Sequence, residues 1–158
     1  MAATDDPLDD PRLTAAGLLF EAHQGLVSRL EPAWRDHGLS GLDLNALLRL
    51  GRSPGRRLRM TDLATQTALS TSGVTRLVDR LTRAGLVRRD TSPADRRTTF
   101  ATLTPEGEER LREVLPTYLA AVDRWLTGLL PPDELDAFLK SLRVIRDRTN
   151  PAATARTP

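Results

Sequence analysis

The sequence predicts a mainly α-helical fold with one small β element, and three observations carry that prediction. Apolar residues recur at helical spacing over most of the chain. One stretch alone, Leu86 to Leu103, breaks into two short β-branched and apolar runs around the turn-forming Ser92-Pro93-Ala94-Asp95. The length, 158 residues, suits one domain with a real core and little room for a second.

The sharpest helical pattern lies in the middle. Ser70, Thr71 and Ser72 offer N-cap oxygens to the free amides of a helix start. Val74, Leu77, Val78 and Leu81 then form a core-facing stripe, and Gly85 stands where a left-handed residue would end the helix. The opposite face carries Ser72, Arg76, Asp79 and Arg83, with Thr75 and Arg80 beside them. Read alone, this is an amphipathic helix with a solvated, arginine-bearing face. Its neighbours sharpen the reading. Upstream, Thr61 is placed to cap a short helix that turns Leu63 and Ala64 inward and ends near Ala68, with Leu69 burying the turn. A helix of two turns is marginal by itself and must pack on a partner. Downstream, Leu86 to Arg89 and Thr98 to Leu103 form a hairpin whose tip bears Asp95, Arg96 and Arg97. Helix, turn, helix and basic hairpin in that order are a winged helix-turn-helix, for which double-stranded DNA is the leading partner. Amides and hydroxyls at the start of the second helix can hold phosphates, and Arg76 is long enough to fork onto guanine in the major groove. The hairpin suits a minor groove, with Asp95 able to fix a neighbouring guanidinium as a bidentate partner.

Charge distribution agrees. The net charge is only +2, yet Gly51 to Arg97 holds 11 arginines against Asp62, Asp79, Asp90 and Asp95, a local +7 that leaves −5 elsewhere. A basic middle between acidic ends is a footprint for phosphate. Lys140 is the one lysine, and the absence of cysteine removes disulfides, zinc–thiolate sites and thiol redox chemistry. No apolar run approaches a membrane span and no signal-peptide pattern opens the chain, so a cytoplasmic location is expected. His23 and His37 would stand roughly 21 Å apart on one helix and cannot share a metal ion there. No cofactor is implied.

The remaining elements are helical. Residues 1–11 read as a frayed acidic tail, and Arg12 to His37 as a helix kinked or divided at Pro32. Ser40 and Asp43 resemble a capping pair for a short helix through Leu50, after which Gly51 to Arg57 is a basic turn. Leu58 and Arg59 can add a minor strand to the hairpin. Thr104-Pro105-Glu106 starts a helix that bends at Pro116; Pro131 to Glu134 break and restart it, and a polar tail follows from Thr149. The domain so defined spans 12–148: winged helix-turn-helix at about 40–104, dimerisation helices at about 12–37 and 105–148, with 149–158 a disordered tail. Three long apolar stripes exceed what one small winged domain can cover. Packing against a second copy accounts for them, an intrachain bundle being the alternative.

These segments resemble the multiple antibiotic resistance regulator (MarR) family over Leu13 to Arg148. The resemblance is most specific at Asp95-Arg96-Arg97 and Leu103-Thr104-Pro105-Glu106-Gly107, and extends to Val74 through Leu81 with Gly85-Leu86-Val87. It implies a triangular homodimer whose two winged domains dock in successive major grooves. By position, Ser70, Thr71, Ser72, Thr75 and Arg76 would touch base edges or phosphate; Arg80 beside that helix face and Arg96 at the hairpin tip are further candidate DNA contacts from the residues themselves. Arg97 would enter the minor groove, braced by Asp95. It also implies repression relieved by a small ligand between body and winged domain, where His23, Trp34, His37 and Tyr118 are candidate lining residues. Two departures stand out. Gly73 removes a side chain from the first turn of the reading helix, and the lack of cysteine excludes the peroxide-sensing branch. An architectural or protein-binding winged helix without operator specificity is the second reading. An enzyme is the third, and no nucleophile–base pair or phosphate-binding glycine loop supports it.

Overall fold

A computed structural model describes residues 6–91 and 97–153. Among the described residues, six α-helices are α1 (Pro11–Arg35), α2 (Gly41–Gly51), α3 (Met60–Gln66), α4 (Thr71–Arg83), α5 (Pro105–Trp125) and α6 (Pro132–Thr149). Three strands, β1 (Arg57–Arg59), β2 (Val87–Thr91) and β3 (Thr99–Leu103), form one antiparallel sheet in the order β1-β3-β2. This is the winged helix fold with a helical body.

The core lies where α2, α3, α4 and the sheet meet the first half of α5. Leu47, Leu50, Leu63, Val74, Val78, Leu81, Val87 and Val114 are its largest fully buried side chains. Local chemistry sets most boundaries. Ser40 and Asp43 close a reciprocal capping box on α2. Thr104 caps α5 by accepting from Gly107 N at 3.0 Å, while its hydroxyl donates to Gly85 O at 2.6 Å. That one side chain ties the start of α5 to the end of α4. Gly85 is left-handed at φ +74°; its N–H donates to Thr82 O and that of Leu86 to Leu81 O, the paired bonds of a Schellman ending.

Several expectations need correction. Pro32 does not divide the first helix: α1 runs unbroken through it, as α5 runs through Pro116. Each proline faces solvent, so the carbonyl it deprives of a donor can bond to water. Thr61 does not cap α3: the N-cap position falls to Arg59, which makes no side-chain cap bond, because β1 runs directly into the helix. The N-terminal tail is shorter than expected, since Asp6 caps a 3-10 turn at Pro7–Asp9 and Asp10 caps α1. At the other end α6 runs through Thr149, and Pro151–Ala153 form a further turn whose Ala153 carbonyl accepts from Arg49 at 3.2 Å.

Candidate nucleic-acid interface

The reading helix α4 is seated from three sides. Its apolar stripe, Val74, Leu77, Val78 and Leu81, is buried. Its start is fixed by Ser70, whose Oγ accepts from Gly73 N at 3.1 Å and lies 3.2 Å from Ser72 Oγ. Mid-helix, Arg80 places Nη2 at 2.7 Å and Nε at 3.1 Å from Asp43 Oδ1. Asp43 is only 6 % exposed, and its other oxygen accepts from Ser40 N and Oγ. One carboxylate thus completes the α2 cap and holds α4 against α2. Arg80, expected among the basic DNA contacts, has its guanidinium turned onto Asp43.

The exposed face presents Thr71, Ser72 and Arg76 to solvent, and no carboxylate among the described residues pairs with Arg76. Thr75 is half-buried, and its hydroxyl donates to Thr71 O at 2.8 Å. One residue missed in the sequence completes the geometry. Arg89 of β2 reaches across to α4, with Nη2 at 2.7 Å from Asp79 Oδ1 and 3.3 Å from Thr75 O. It neutralises the acid on the reading face and fastens the wing strand to the helix. No local spacing signals this pair, because the strand's pleat decides which of Arg88 and Arg89 faces the helix.

Gly73 acquires a different explanation from the one its position suggests. A Cβ there would lie 3.2 Å from Ser70 Oγ and 3.4 Å from Leu69 Cβ, so it would press on the cap and the turn. The glycine permits close packing at the helix start; its missing side chain is not one aimed away from the protein. In the wing, Arg97 stands exposed at the turn entering β3, and Asp95 and Arg96 lie outside the described residues.

Of the four candidate ligand-site residues, Trp34 alone lines the cleft at the α1–α2 junction, with Tyr118 and His37 next to it. Trp34 lines this open cleft of about 800 Å³ with Val27, Leu39, Leu42, Asp43 and Arg80. Tyr118 packs behind it, ring centroids 6.2 Å apart, and burial pushes its phenol pKa up. His37 is half-buried and its carbonyl accepts from Arg110, while His23 is exposed on α1. The described residues contain no His/Cys/Asp/Glu cluster fit for a metal ion and no helix long and apolar enough to cross a membrane.

A profile of the MarR family matches residues 37–98, which begin just after α1 and end just before β3. AbsC, a MarR family transcriptional regulator from Streptomyces coelicolor, is 35% identical, with a TM-score of 0.82 over 94% of this chain and 97% of that one. The chain belongs to the MarR family. Sco3205 of the same organism, solved in complex with DNA, is 33% identical, with a TM-score of 0.81 over 91% and 92% of the two chains. BpsR of Bordetella bronchiseptica, whose DNA binding is regulated by 6-hydroxynicotinic acid, is 27% identical, with a TM-score of 0.73 over 84% and 92%. This MarR family chain is a DNA-binding transcriptional regulator and not an enzyme.

Proposed function

We propose that the chain acts as a homodimeric repressor of a pseudo-palindromic operator and is released by a small molecule. The observation that carries this reading is Arg76, exposed and without a carboxylate partner among the described residues, on a helix whose seating is fixed by Asp43–Arg80 and Asp79–Arg89. A guanidinium so placed suits bidentate contact with guanine O6 and N7. Ser70, Thr71, Ser72 and Thr75 meet phosphate or base edges beside it. Arg97, at the turn entering β3, enters the minor groove.

Uncovered apolar faces support the dimer. Leu18, Phe20, Val144 and Ile145 are exposed, Phe20 at 70 %, and α6 has no buried residue. Packing α1 and α6 on their counterparts in a second chain removes that surface from water and sets two reading helices one helical turn of DNA apart, about 34 Å, or a multiple of it. A dimer on DNA at that spacing blocks the duplex it covers. The effector site is the cleft beside Trp34, where an apolar ring stacks on the indole and pushes on the Asp43–Arg80 link beneath α4. BpsR sets a precedent for ligand control in a related chain.

Sedimentation with a duplex selected from random sequence tests the reading. Two protomers per duplex are expected, and Arg76→Ala should cost about 1–3 kcal/mol while relaxing base choice at one position per half-site. A monomer at micromolar concentration, or an Arg76→Ala loss equal on every sequence, contradicts it.

A further inference from the structure

Sheet register sorts the wing's side chains into two faces. Directly paired residues point the same way, so Arg57, Thr102 and Arg88 share a face with Arg59, Phe100 and Asp90. The other face carries Leu58, Ala101 and Arg89, of which Ala101 is fully buried and Arg89 reaches α4. The first face therefore looks away from the helices, and among its described residues it bears three arginines against one carboxylate. Two of the three are held in place. Arg57 lies over the Phe100 ring, 4.8 Å from its centroid, and Arg88 pairs with Asp90 at 3.0 Å. Arg59 is exposed, with no carboxylate partner among the described residues. None of this charge belongs to the reading helix or the hairpin tip.

We propose that this outer sheet face binds the DNA sugar-phosphate backbone beyond the half-site, as a track for flanking duplex. Charge complementarity favours a polyanion, and planar guanidiniums suit phosphate oxygens. Continuity favours DNA over an acidic protein surface. The face belongs to the same three-stranded sheet whose β2–β3 hairpin carries Arg97, so a duplex engaged at Arg97 passes along it. The contact reads no base; it lengthens the footprint and steepens the salt dependence. The inference rests on the operator-binding reading above and extends it outward.

Arg57 and Arg59 supply four charges in a dimer, and each phosphate neutralised adds about 0.9 to the slope of log K against log salt, so the track contributes up to ~3.6. The test compares the full chain with Arg57→Gln/Arg59→Gln on two duplexes. One ends at the outer edge of the wing contact, and the other adds about 10 base pairs of unrelated sequence at each end. The unmodified protein should bind the longer duplex at least tenfold more tightly at moderate salt, and the double variant should bind both as weakly as the unmodified protein binds the short one. Arg59→Gln alone gives up no stacking contact and should show roughly half the effect, which separates the track from any folding defect. Equal losses on both duplexes would place these arginines in the core contact and overturn the proposal. If flanks give the unmodified protein no gain, DNA is not the occupant and an acidic protein surface takes its place. Failure of either protein to bind the short duplex would instead sink the operator reading itself.

Discussion

Removing Arg89 should weaken DNA binding as well as the fold, and removing Asp79 too should restore the binding. At 2.7 Å two unit charges in solvent attract by about 1.5 kcal/mol. Arg89 and Asp79 are 38 % and 49 % exposed, so solvent screening and the ordering of two side chains reduce the net contribution to stability to about 0.2–1 kcal/mol. The effect on DNA has another origin. Arg89→Gln leaves Asp79 uncompensated on the reading face, where a phosphate about 7 Å away repels it by ~0.6 kcal/mol at solvent dielectric. Two half-sites bring the loss to roughly 1.2 kcal/mol, or about eightfold in affinity. Asp79→Asn in the Arg89→Gln background should recover affinity to within about threefold of the unmodified protein. A double-mutant cycle by fluorescence anisotropy on a selected operator measures this, with thermal melting in parallel. If Arg89→Gln costs the same whether residue 79 is Asp or Asn, Arg89 touches DNA directly and the clamp argument is wrong.

Three further substitutions probe how the reading unit is built. Gly107→Ala should destabilise by about 2–3 kcal/mol and lower Tm by roughly 5–10 °C, because its Cβ would run into the backbone oxygen of Leu86 and lie 2.7 Å from Leu103 Cδ1; a stabilised variant, as helix propensity alone predicts, contradicts the packing. Ala68→Gly should raise stability by about 0.5 kcal/mol, since Ala68 ends α3 at φ +54° where Gly85 ends α4 without that strain, and a lowered denaturation midpoint would refute it. Asp43→Asn should cost about 1–3 kcal/mol by weakening both the α2 cap and the Arg80 link, with DNA affinity falling alongside; unchanged melting and binding would remove Asp43 from the account.

Most features that local chemistry dictates were legible in the sequence, the cap expected at Thr61 excepted, while side-chain pairs between distant residues were not. The stripe from Val74 to Leu81, the left-handed Gly85 and the caps at Ser40, Ser70 and Thr104 each depend on residues within a turn or two, and all appear as read. The minor strand at Leu58 and Arg59 is also present, paired with β3. Arg80 and Asp43 are 37 positions apart, and no periodicity joins them. The polar composition after Thr149 suggested a tail from that point, yet a half-buried arginine on α2 accounts for the turn at Pro151–Ala153. Arg49 needs acceptors for its guanidinium, and it finds them in Asn45, Gln66 and the Ala153 carbonyl. Burial lowers the pKa of that arginine, which reflects the desolvation those bonds offset. Whether a proline ends a helix depends on its surroundings: Pro32 and Pro116 both face water, and the helices continue through them.

The most direct test of the central claim is a binding isotherm of the purified protein on the DNA upstream of its own coding sequence, against a scrambled duplex, over a salt series. A specific regulator should prefer its own upstream DNA by about 10³-fold or more, with log K falling steeply and linearly with log salt. Equal, weak binding to both duplexes, together with no enriched sequence after selection from random DNA, would contradict operator recognition and leave an architectural winged helix.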